Sequence, residues 1–247
     1  MTMRTASALT AAFVLSASLL AGCASTGSAP SAGAANTLTA AEQRDGWVLL
    51  FDGSDAGKML RGYKKSDLPK EWKAEDGTLT MRGHGGDIVT KDEYRDFEFQ
   101  VDWRIAKGGN SGIMWHVTED HGYPWETGPE MQILDDERHA DGKSRLTSAG
   151  ACYALYPAPS GVVKPAEEWN TANIKVQGSK VTYTLNGVVT AQFDMSSKDF
   201  KDRLAGSKFA SMKDFATKPA GHVALQDHGD VVSFRNMKIR ALPAAGK

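Results

Sequence analysis

The chain has 247 residues, of which 41% are hydrophobic and 24% charged, and its formal net charge is -1. That is enough chain to bury a sizeable core in one or two domains. Near-neutral charge, with no basic stripe interleaved with aromatics, argues against electrostatic capture of nucleic acid.

The N-terminus reads as an export signal. Arg4 supplies a short positive start, and ALTAAFVLSASLLAG (8–22) is apolar but too short and too weakly apolar to favour a stable transmembrane helix. Leu20-Ala21-Gly22-Cys23 resembles the lipobox of bacterial lipoproteins. The resemblance implies cleavage after residue 22 and acylation of Cys23. Ala24 follows the cysteine, without the Asp of inner-membrane retention, so the expected location is the cell envelope, lipid-anchored to the outer membrane and facing the periplasm. Residues 23–43 are expected to be a flexible tether, Ser/Gly/Ala/Pro-rich over 24–37, with one helical turn in LTAAEQRDG. The domain is expected over 44–247. If Cys23 carries lipid, Cys152 has no cysteine to pair with, and its apolar surroundings predict a buried, inert thiol.

The domain reads mostly as strands. GWVLLFDG (46–53) is an apolar run ended by a turn, and EDGTLTMRG (75–83) is a turn and a short strand. In DFEFQVDWRIA, Phe97, Phe99, Val101, Trp103 and Ile105 take one face, and Glu98, Gln100, Asp102 and Arg104 take the other. A Gly-Gly-Asn turn leads into SGIMWHVTED (111–120). TGPEMQILDD (127–136) alternates again. Residues 169–194 predict a three-strand meander with turns at Gln177-Gly178-Ser179 and Asn186-Gly187. Within 196–219, Phe200 and Leu204 stand at helical spacing, so a short helix and loop interrupt the strands. GHVALQDHG and VVSFRNMKIRAL close the domain as two further strands. This pattern predicts an all-β sandwich of two antiparallel sheets with one short inserted helix.

Several stretches then resemble one family: LFDG, DFEFQVDWRI with GGNSGI, TGPEMQILDD, EEWNTANIKVQGSKVTYTLNG, SKF and GHVALQDHGDVVSFRNMKIR. In this order, from about Gly46 to Leu242, they are similar to the 3-keto-disaccharide hydrolase domain. The resemblance implies a concanavalin-like, laminin-G-like jelly roll and activity on glycosides oxidised to a ketone at C3.

Strand parity selects candidate site residues. Gly112, Met114 and His116 share one face, as do Glu130 and Gln132, and Ala224 and Gln226, with His228 continuing into a turn. Ile113, Trp115, Val117, Met131, Ile133, Val223 and Leu225 take the core parity. The expectation is that three non-core faces form one surface. Antiparallel strands ordinarily show a polar side to water, but His, Glu and Gln beside Gly-rich loops and spare aromatics suit a sugar site better than a solvated face. Asn110 offers an amide from its turn. Tyr123, Trp125 and Glu126 lie on the loop before Glu130, where the rings suit stacking on a pyranose. Arg138 and His139 stand in the polar stretch DDERHADGK (135–143), which could rim the site, although a solvated loop is the simpler reading for His139; His84 could also approach the pocket.

The implied reaction needs a base for the C2 hydrogen, a group for the enolate oxygen and an acid for the leaving group. His116 is the first candidate base and Glu130 the second; His228 is the candidate acid, and Gln132 or Arg104 would hold the oxyanion or the sugar. Asn110, Gln226, Tyr123, Trp125 and Glu126 complete the expected substrate contacts. A divalent metal held by His and Glu is an alternative to the amide donors, although no HxH, HExxH or Cys-rich spacing demands one. A two-carboxylate glycosidase would need a partner for Glu130, with Glu126 and Asp227 as candidates. A lectin-like module would use the aromatics without needing His116 or Glu130, and a scaffold domain would need none of these groups. The expected partners are a small oxidised carbohydrate and a membrane reached only through the lipid.

Overall fold

The computed structural model describes residues 1–3 and 35–244. The chain divides into Met1–Ala32 and Gly33–Lys247. The fold described below belongs to the second unit, and Cys23 with the signal segment lies outside the described residues.

The elements in order are α1 (Ala40–Arg44), β1 (Val48–Leu49), β2 (Leu60–Gly62), β3 (Trp72–Glu75), β4 (Thr78–Met81), β5 (Ile88–Thr90), β6 (Phe97–Ile105) and β7 (Asn110–Val117). Then follow β8 (Glu130–Leu134), β9 (Asn170–Gln177), β10 (Lys180–Leu185), β11 (Val188–Asp194), α2 (Lys198–Ala205), β12 (His222–Leu225) and β13 (Val232–Ala241). They build the expected two-sheet antiparallel sandwich. The larger sheet has the order β11-β10-β9-β6-β13-β4-β3, with β1 added on β13, and the smaller has the order β2-β5-β12-β7-β8.

Alternation explains the core. Along β6 the five apolar residues are buried and the four polar ones between them are half-exposed. From the smaller sheet, Ile113, Trp115, Met131 and Ile133 join the same core, and Trp115 Nε1 donates to Tyr183 Oη at 2.6 Å. The meander turns as its sequence predicts: Asn186 and Gly187 both have positive φ, 50° and 81°, which suits the twist of the β10–β11 hairpin. Ser197 caps α2 by accepting from the Phe200 amide at 3.1 Å, and Phe200 is buried.

The packed domain begins before Arg44. Asn36 exchanges hydrogen bonds with Asn236 at 2.7 and 2.8 Å and donates to the Gly77 carbonyl. Thr39 and Glu42 form a capping box on α1, and Glu42 pairs with Lys238. The end of the segment read as tether is therefore pinned to β13. Among the described residues, no helix is long and apolar enough to cross a membrane.

Candidate active site

Three strands of the smaller sheet bring the polar faces together. Ala224 on β12 lies opposite Met114 on β7, and Met114 opposite Glu130 on β8. One step along, the Gln226 amide donates to the Gly112 carbonyl at 2.9 Å, and Gly112 lies opposite Gln132. Above this floor is a cavity of about 240 Å³, lined by Asn110, Glu130, Gln132 and Gln226 below, and by Trp125, Asp141, Tyr153, Lys208, Phe209 and His228 around it. That is below the ~300–1,000 Å³ usual for drug-sized ligands, and suits a single sugar ring.

Glu130 is the unusual group. It is 9% exposed, and its carboxyl makes no hydrogen bond or ion pair with any described residue. Burial raises its pKa to about 8; Lys208 works against the rise, while Asp87 and Asp141 add to it. The carboxyl lies across Gly112, where a Cβ would come within 2.7 Å of Glu130 Cδ. The glycine is what allows the acid to fold down on the neighbouring strand. Beside it, Asn110 Oδ1 and Gln132 Oε1 are buried without partners among the described residues. Buried polar atoms are normally satisfied, so these amides, with the carboxyl, are groups waiting for a hydroxyl-rich ligand. Asp87, just ahead of β5, accepts from the Asp227 amide at 2.8 Å, and burial pushes its pKa up to about 6.

The walls come from loops. Residues 150–153 run antiparallel to β8: Tyr153 N–H donates to the Glu130 carbonyl at 3.0 Å, Gln132 N–H to the Ala151 carbonyl at 3.1 Å, and Cys152 pairs with Met131. Tyr153 Oη donates to Asp141 Oδ2 at 3.2 Å. The Lys208 ammonium sits 4.2 Å from the Tyr153 ring centroid and 5.3 Å from that of Phe209, and makes no ion pair with any described residue. On another side Trp125 stacks with the exposed Tyr123, centroids 5.4 Å apart and planes at 14°. His228 and His139 meet edge to face at 6.2 Å on the rim.

Three expected positions are corrected. His116 does not reach the cavity. β7 carries one extra residue against β12, because His222 pairs with Val117 but Ala224 with Met114. His116 takes a left-handed conformation, φ 52°, which marks this bulge. Met114 and Val117 consequently share the cavity-side cluster, and His116 packs against Trp115 and Phe97, its Nε2 2.8 Å from the Arg95 carbonyl. Burial keeps its pKa below the ordinary value. Arg104 lies on β6 of the other sheet, where it stacks on Trp169 at 4.8 Å and lines a separate hollow. Parity chose the correct face of the wrong sheet. Glu126 accepts from the Tyr123 amide at 2.7 Å and caps its own turn, outside the cavity.

Asp141, Tyr153, Lys208 and Phe209 were missed by sequence reasoning. Lys208 and Phe209 stand in the SKF stretch that helped carry the resemblance, and Tyr153 adjoins Cys152, which is buried as expected with its thiol pushed up to about 12. No group of three or more His, Cys, Asp and Glu placed to hold a metal occurs among the described residues. The oxygen donors present would suit a hard cation rather than a soft one: Glu130, Asp141 and the amide oxygens of Asn110 and Gln132.

A two-sheet sandwich with a polar cavity, a buried acid that pairs with no described residue and an aromatic rim is the arrangement expected of a carbohydrate-active protein. Comparison with known proteins narrows the class. The 3-keto-alpha-glucoside-1,2-lyase-like domain matches residues 46–240, and the chain belongs to that family. A 3-keto-disaccharide hydrolase of Bacteroides thetaiotaomicron is 31% identical over 230 residues, 80% of this chain and 79% of that protein. A crystal structure from Parabacteroides distasonis, described as a glycosyl hydrolase, has 35% identity and a TM-score of 0.79, covering 85% of this chain and all of the other. A second from the same organism has 28% identity and a TM-score of 0.58, covering 74% of this chain and 99% of its own. The protein is accordingly an enzyme of glycosidic-bond cleavage.

Proposed function

We propose that this protein cleaves 3-keto-glycosides by removing the proton at C2, eliminating the substituent at C1 and hydrating the product. The observation that carries the reading is Glu130. A buried acid that pairs with no described residue, with its pKa pushed up to about 8, is poised as a general base close to neutral pH. The C3 ketone acidifies the C2 hydrogen, and Glu130 accepts it. The Lys208 ammonium in the wall of the cavity offsets the enolate charge. The amides of Asn110, Gln132 and Gln226 fix the ring hydroxyls, and Trp125 with Tyr123 offers a stacking surface at the mouth.

The test compares a 3-keto-glucoside with the unoxidised glucoside. Cleavage of the first alone is expected. Cleavage of neither, with measurable binding of the plain sugar, would favour the lectin-like reading instead. We further propose that Cys23 carries a lipid that holds the enzyme at the cell envelope, on the strength of the LAGC motif. Membrane fractionation of wild type and Cys23→Ser tests this, and an unchanged distribution would refute it.

A further inference from the structure

His228 was the expected acid for the leaving group, but it stands on the rim with a half-exposed side chain, 3.8 Å from Asp230. A better-placed hydroxyl lies inside. Because Cys152 forms an isolated antiparallel bridge with Met131 and Tyr153 N–H donates to the Glu130 carbonyl at 3.0 Å, Tyr153 lies against Glu130. Both side chains line the same cavity. Base and phenol therefore stand side by side in one site. That suits an elimination whose two reacting bonds, C2–H and C1–O, sit on adjacent carbons.

Resting on the reading of the site given above, we infer that Tyr153 is the proton donor to the departing glycosidic oxygen. The C1–O bond breaks, its electron pair goes to oxygen, and the Tyr153 O–H proton moves to that oxygen as the enolate collapses to the C1=C2 enone. The phenolate left behind lies under the Lys208 ammonium, at 4.2 Å from its ring centroid. Water then adds to C1 and gives its proton to the phenolate, while Glu130 returns its proton to C2. The sum is hydrolysis, with both side chains restored. In the resting enzyme the single phenolic O–H is given to Asp141 at 3.2 Å; it turns about the C–O bond from that carboxylate to the glycosidic oxygen when substrate fills the cavity, and Asp141 then holds the reprotonated phenol at the end of the cycle. Burial and Asp141 push the phenol up to about 12, which keeps it protonated at working pH and matches it to an alkoxide leaving group.

The test varies the leaving group. Tyr153→Phe is expected to lower kcat/KM on a 3-keto-disaccharide by about 10²–10⁴-fold, and to cost far less on a 3-keto-glucoside of p-nitrophenol, which departs without an acid. Equal losses on both substrates would overturn the assignment, as would a leaving-group-selective loss in His228→Gln instead. Fluorotyrosine at position 153 serves as an isosteric second variant, and should move the alkaline limb of the disaccharide profile to lower pH; an unmoved limb refutes the role. If Glu130 is essential yet Tyr153→Phe cleaves the disaccharide normally, the site reading stands and this inference fails. If the wild type cleaves neither substrate, both fall.

Discussion

Gly112→Ala adds one methyl group, and the structure states what it strikes. The new Cβ would press on the Glu130 carboxyl and come within 2.7 Å of its Cδ and 3.0 Å of its Cγ. Gly112 has no positive φ, so the alanine backbone is unstrained, and the three atoms nearest the new Cβ all belong to the Glu130 side chain. Overpacking of this kind costs roughly 1–3 kcal/mol when it must be absorbed in a core. Here the carboxyl borders a cavity and can swing aside, so the loss of stability should sit at the low end. The chemistry should suffer more. A displacement of about 1 Å in a reacting group costs on the order of 10²-fold, or roughly 2.7 kcal/mol of barrier. Steady-state kinetics on a 3-keto-glucoside, beside thermal melts, separate the two effects. A variant with a normal melting temperature and kcat within about threefold of wild type would refute the proposition that Glu130 acts from its position over Gly112.

Glu130→Gln should abolish turnover and remove a pH-dependent burden on stability. The native pKa, about 8, lies above the ordinary 4.5, so the folded protein holds a proton that the unfolded chain releases; the resulting stability is full below the unfolded value and is lost as pH rises through about 8. Melting curves should show the variant gaining on wild type at high pH and not under acid conditions, and parallel curves would contradict the buried charge. Lys208→Met removes the cation that lowers the Glu130 pKa, so the acid limb of kcat/KM should move to higher pH and kcat should fall by about 10²–10³-fold; a profile that keeps its position argues against the contact. Trp125→Ala should raise KM about tenfold with little change in kcat, for a stacking contribution of ~1.5 kcal/mol, and an unchanged KM would place the sugar elsewhere.

Much of the fold was legible because a strand of unbroken parity announces its faces. The β6 alternation and the Asn186-Gly187 turn translate directly into structure. The same rule placed Glu130, Gln132 and Gln226 on one surface, since β8 pairs with β7 in unbroken register and Gln226 follows β12 past its one register shift. His116 failed for one local reason: a single left-handed residue flips every face beyond it, and nothing in SGIMWHV announces it. Arg104 failed because parity gives a face but not a sheet. Tyr153, Asp141 and Lys208 come from loops that reach the cavity through long-range packing, and no periodicity encodes that. The phenol reaches Glu130 because residues 150–153 fold back along the edge of β8 through one isolated bridge, a contact that only the tertiary structure sets.

The most direct test of C2 proton abstraction is single-turnover cleavage of a 3-keto-glucoside carrying deuterium at C2, with wild type and Glu130→Gln side by side. The mechanism requires a primary isotope effect in the wild type and no cleavage in the variant. Wild-type cleavage at the same rate for both isotopes, or a Glu130→Gln enzyme that still turns over, would contradict it.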